Sequence, residues 1–183
     1  MSDRTRQFVR QISNDEKAHR RELADNLNYV IKHDNAVRFG CDVTAVGNVG
    51  GGEDNLITAT LDQDTLAETA DYIEIIAFGT FAANGNNKTV KLYFGSTVLV
   101  NSGAQAQNGN GWEIRATVIR TGAATQIASG TLITTSALFT DDQTYTTPAE
   151  TMASDITIKC TGTGTATNDI IQKALIIKAI TRS

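Results

Sequence analysis

The chain has 183 residues, 40% apolar and 20% charged, a single proline (Pro148) and an abundance of Thr, Ala, Gly and Asn after residue 40. That length buries a core without staples, and the net charge of −4 splits into +2 over residues 1–40 and −6 over 41–183, which argues against nucleic acid as a partner. No apolar run approaches the ~18–20 residues of a membrane span, Met1–Arg10 is polar with no apolar stretch behind it, and Cys41 and Cys160 form no CxxC pair. Synthesis and folding in a cytoplasm is the expectation, with two free, half-buried thiols and a single Cys41–Cys160 bridge as the alternative.

In chain order, Ser13 and Glu16 form a capping box that starts a helix running from about Asn14 to Ile31. Leu23, Leu27, Val30 and Ile31 fall on one stripe of it, with Arg21, Glu22, Asp25 and Lys32 opposite. Four aliphatics on one helix are too small a core, so the stripe must pack on its own β domain, on other copies, or on a different protein. Asp42–Val46 reads as a short edge strand and Gly47–Gly52 as a glycine link. The glycines are a poor phosphate loop, because no Gly-Lys-Ser/Thr follows them. The divisions are therefore a helical segment over 1–40, a link over 41–52 and a β domain over 53–183.

From Glu53 onward strand follows strand. The run 71–100 predicts three consecutive antiparallel strands: Tyr72–Ala82, a turn at Ala83–Asn87, Lys88–Phe94, a hairpin turn at Gly95-Ser96, and Thr97–Val100. Asn55–Leu61 precedes them. Asn101–Gly111 is a polar loop, and Trp112–Thr121 alternates Trp112, Ile114, Ala116 and Val118 against Glu113, Arg115 and Thr117. Thr125–Thr135 returns, Ser136–Ser154 is a long connection, Asp155–Thr161 puts Ile156, Ile158 and Cys160 on one face, Thr161–Asn168 is a loop, and Ile170–Ile180 closes the chain. Eight strands with such turns predict a mainly β fold: an antiparallel jelly-roll β-sandwich with an N-terminal α-helix.

Chemistry is sparse. His19 and His33 lie fourteen residues apart on the predicted helix, about 21 Å, and cannot share a metal within one chain. Asp141-Asp142 is a weak calcium candidate beside the roughly six to eight oxygens such a site needs. Glu74 and Glu113 are the candidate carboxylate pair for a hydrolase, against the plainer reading of cross-strand ion pairs with Lys91, Arg115 or Arg120. Trp112 reads as a core anchor before a sugar platform. No catalytic residue, metal ligand or cofactor is expected.

The stretches VGNVGGGEDNLITATL, DYIEIIAFGTFAANGNNKTVKLYFGSTVLVNSG, WEIRATVIRTG and ITIKCTGTGTATNDIIQKALIIKA resemble the jelly-roll domains of bacteriophage virion proteins, those of tail-fibre tips, head fibres and capsid decoration proteins, and the resemblance covers residues 46–181. The resemblance implies a homotrimer held on the virion by a short N-terminal segment. Its partners would be a major capsid protein or a portal or tail component, and it would act as a capsid decoration or cement protein or a short head fibre. A receptor- or glycan-binding module of a tail fibre is the alternative, weakened by the absence of aromatics from the loops 83–87, 102–111 and 161–168. On this reading Leu23, Leu27, Val30 and Ile31 form the docking helix. The closing strand has aliphatics on both faces while a sandwich buries one, so Ile171, Leu175 and Ile177 are expected to meet other copies.

Overall fold

A computed structural model describes residues 15–22, 38–135 and 143–181. The chain divides into two compact units, residues 1–36 with Ser183, and residues 37–182. In the first unit residues 15–22 are helical and carry His19. The stripe Leu23, Leu27, Val30 and Ile31, along with Ser13 and His33, lies outside the described residues, as does Asp141-Asp142 in the second unit.

The second unit holds twelve strands among its described residues. They are β1 Arg38–Asp42, β2 Val46–Gly47, β3 Glu53–Leu61, β4 Tyr72–Phe81, β5 Ala83–Phe94, β6 Thr97–Asn101, β7 Gln105–Asn108, β8 Gly111–Gly122, β9 Thr125–Thr134, β10 Gln143–Thr146, β11 Ile156–Thr163 and β12 Ile170–Ile180. They form two antiparallel sheets. The seven-stranded sheet runs β1-β12-β4-β8-β9-β10, with β2 also on β12; the five-stranded sheet runs β3-β11-β5-β6, with β7 also on β5. The pairs β1·β12, β3·β11, β4·β8 and β5·β6 are nested, as in a long hairpin wound over itself, and this is the jelly-roll wrapping.

Period-two alternation makes these layers. On β4, Ile73, Ile75, Ala77 and Phe81 are buried; on β8, Trp112, Ile114, Ala116 and Val118; on β5, Val90, Leu92 and Phe94; on β11, Ile156, Ile158 and Cys160. Burying each large side chain contributes about 1.5–3 kcal/mol. Trp112 anchors the core against Phe81, ring centroids 6.3 Å apart. Gly95, at φ +56°, turns β5 into β6, a backbone state that suits a residue without Cβ.

Four expectations are corrected. Ala83–Asn87 is not a turn: β5 begins at Ala83, and β4 and β5 belong to different sheets, so the chain changes layer at Ala82. Asn101–Gly111 contains β7, and the connection after Thr135 contains β10. Residues 41–52 are not a free link: β1 and β2 both pair with β12, and Asn48 is fully buried, accepting from Ile170 N at 2.9 Å and donating to the Gly50 and Ala166 carbonyls. The sandwich therefore starts at β1, not at residue 53. Cys41 and Cys160 are both free. Among the described residues no helix is long and apolar enough to cross a membrane.

Candidate interaction face

The two outward faces of the sandwich differ in chemistry. On the five-stranded sheet, the paired rows read Thr60–Thr157, then Thr58–Lys159–Tyr93–Val98, then Asn55–Thr161–Lys91–Asn101, then Glu53–Thr163–Thr89. This is a solvated Thr ladder with charges that satisfy one another. The Glu53 carboxylate accepts from Lys91 Nζ at 2.6 Å, Thr161 Oγ1 at 2.7 Å and the Tyr93 hydroxyl at 2.8 Å. The bond from Lys91, followed by that from Thr161, holds its pKa down to about 2, against the opposing effect of burial.

The seven-stranded sheet mixes paired charges with a larger share of apolar side chains. Its first outward row is Ile180–Tyr72–Ile119–Ile127, the second Lys178–Glu74–Thr117–Ser129–Tyr145, the third Ile176–Ile76–Arg115–Thr131–Gln143, and the fourth Ala174–Phe78–Glu113–Ile133. Phe78, Ile133 and Tyr145 are exposed at 37%, 42% and 70%. Three shallow depressions line this face: about 260 Å³ beside Glu74, Arg115 and Thr131, about 420 Å³ beside Phe78, Glu113 and Ile133, and about 90 Å³ beside Ile119, Ile127 and Tyr145. Four charges of the face pair with one another, Lys178 with Glu74 at 3.6 Å and Arg115 with Glu113, and Lys173 stands exposed on β12 between Gln172 and Ala174.

Two of the three residues expected to meet other copies face the core. Ile171 is half-buried and points outward, but Leu175 and Ile177 are 1% and 7% exposed inside the sandwich. The cause is a bulge. The β12·β4 register shifts between Gln172 and Ala174, leaving Lys173 as the extra residue and inverting the alternation after it. Buried Gln172 stabilises the bulge by accepting from Ile57 N at 2.9 Å and donating to the Ala174 carbonyl at 3.0 Å. Ile176 and Ile180 take the outward places.

Glu74 lies opposite Thr117, and Glu113 opposite Phe78. Four residues of strand separate them, about 13 Å at ~3.3 Å per residue, beyond the roughly 5–10 Å over which two carboxylates cleave a glycosidic bond. Among the described residues no group of three His, Cys, Asp or Glu side chains could hold a metal ion.

A buried polar cluster at one end of the sandwich escaped the sequence reading. The ammonium of Lys88, fully buried, donates to Asn84 Oδ1 at 2.7 Å and to the carbonyls of Gln107 at 2.7 Å, Asn86 at 3.0 Å and Asn84 at 3.2 Å. Burial lowers its pKa, and the charge of Asp169 opposes that. Asp169, 1% exposed, accepts from Asn84 Nδ2 and Ala166 N at 2.7 Å, Thr165 N at 2.8 Å and Asn86 Nδ2 at 3.0 Å. Burial pushes its carboxyl up, and these donors outweigh it to bring the pKa to about 2. The cluster ties β5 and β7 to the loop before β12. Its sequence signal is the spacing of Asn84, Asn86 and Lys88, which continues the inward parity of Val90, Leu92 and Phe94.

No protein-family profile matches the chain, and no curated protein matches its sequence. Among solved structures, the CBM2 module of the evolved Dit of Lactobacillus casei BL23 phage J-1 is similar over 78% of this chain and 79% of that one, at 9% identity and a TM-score of 0.33. A likeness of that size carries no functional weight.

Proposed function

We propose that the protein is a non-enzymatic structural component of a bacteriophage virion. In this reading it is a homotrimeric jelly roll, attached through its N-terminal segment, that decorates or cements the capsid or projects from it as a short head fibre. The observation that carries the reading is the division of the chain after Ala36. One unit is a sandwich whose buried ionisable groups are spent on its own latches; the other contains the segment with the stripe Leu23, Leu27, Val30 and Ile31. A sandwich preceded in sequence by an amphipathic stripe suits a protein that is held on a surface and presents its sandwich. The resemblance of residues 46–181 to virion jelly rolls supports the same assignment.

The test is Leu27→Asp in the producing phage. Purified wild-type particles should contain the chain by mass spectrometry, and Leu27→Asp particles should lack it while the variant remains folded and trimeric in the lysate. Wild-type particles without the chain would sink the virion reading; variant particles that retain it would sink the docking role.

The second reading, a receptor- or glycan-binding module, is favoured by one observation. The depression of about 420 Å³ sets an exposed aromatic, Phe78, beside a carboxylate, Glu113. Saturable glycan binding that Phe78→Ala removes would establish it.

A further inference from the structure

We propose that copies of the chain meet through the outward face of the seven-stranded sheet. The β12/β4 half of one face would lie against the β8/β9 half of the next, around a threefold axis parallel to the strands. This rests on the homotrimer reading above and assigns its contact surface.

Three observations select a second copy as the occupant. The first is row matching. An axis parallel to the strands keeps each row at one height, so residues of a row meet residues of the same row. Ile180 and Tyr72 of one copy then face Ile119 and Ile127 of its neighbour, and Phe78 faces Ile133, apolar against apolar. The second is charge. Residues 41–183 carry −6, yet Lys178, Glu74, Arg115 and Glu113 on this face are already paired, and with the exposed Lys173 of β12 the five sum to only +1, so copies approach here with little net repulsion. The third is area. Six strands ~4.8 Å apart, over the eight residue steps from Tyr72 to Thr80 at ~3.3 Å each, make a face of roughly 750 Å²; each neighbour covers about half of it, so only the two contacts of a copy taken together approach the ~800 Å² per partner of a standard stable interface. The Thr-rich face of the other sheet offers no comparable apolar surface, which makes it the internal control.

The experiment is sedimentation velocity on the full chain and four variants. Phe78→Lys and Ile133→Lys place a charge at exposed positions of the face; Thr58→Lys and Thr60→Lys do the same on β3. The wild type should sediment as a trimer. Each face variant should weaken association about a hundredfold, with a melting temperature within a few degrees of wild type at a concentration where both are monomeric, and each control should remain trimeric. Ile133→Lys decides the matter if Phe78→Lys fails to fold. Trimeric face variants would overturn the surface and leave the homotrimer standing; equal weakening by the controls would also overturn it. A monomeric wild type would overturn both.

Discussion

Replacing Asp169 by Asn should unlock one end of the sandwich. Four donors converge on the Asp169 carboxylate, two backbone amides on Oδ2 and the side-chain amides of Asn84 and Asn86. An amide in its place turns one acceptor into a donor that faces other donors. It also removes the negative charge that offsets the buried Lys88 ammonium. The depression of the carboxyl from 3.8 to about 2 corresponds to about 2 kcal/mol at ~1.36 kcal/mol per unit. Donors left facing donors bring the expected loss at pH 7 to about 3–4 kcal/mol. The sign fixes the pH window. A carboxyl whose folded pKa lies below its unfolded one contributes stability that is present above about pH 4 and fades as the pH falls from 3.8 through about 2. Urea unfolding of wild type and Asp169→Asn at pH 7, 5, 3 and 2.5 should therefore show a gap that is constant down to pH 5 and narrows below pH 4. A gap under about 1 kcal/mol at pH 7, or one unchanged at pH 2.5, would refute the reasoning.

Gly79→Ala should cost about 3 kcal/mol or abolish folding, because a Cβ there meets the Ile171 carbonyl oxygen and lies 2.7 Å from the Trp112 ring; a thermal midpoint within 2–3 °C of wild type would contradict this. Cys160 should resist a thiol reagent at pH 8 until urea unfolds the chain, since burial pushes its thiol up to about 12. Labelling of two thiols per native chain at similar rates would count against that.

The large strands were legible because period-two alternation survives wherever one face is dry. Val90, Leu92, Ile114, Val118 and Ile158, read as inward from the sequence, are all fully buried. What alternation cannot show is a residue that breaks it. Lys173 inverts the parity of β12, so Ile171 was grouped with Leu175 and Ile177 although it faces the other way. Composition misled at Ala83–Asn87, where Asn and Gly read as turn chemistry but Asn84 and Asn86 are inward polar members of a strand that serve Lys88 and Asp169. The short strands β1, β2, β7 and β10 are fixed by pairing to a neighbour, which local propensity does not record. The apolar outer face of the seven-stranded sheet was legible in part. The excess of aliphatics on β12 signalled an uncovered surface, and the cross-strand register then identified which residues form it.

Native mass spectrometry of the full-length protein tests the account most directly. Three chains of 19.6 kDa should give a single species of about 59 kDa. A species of 19.6 kDa at micromolar concentration would contradict the trimeric assembly on which the proposed role in the virion depends.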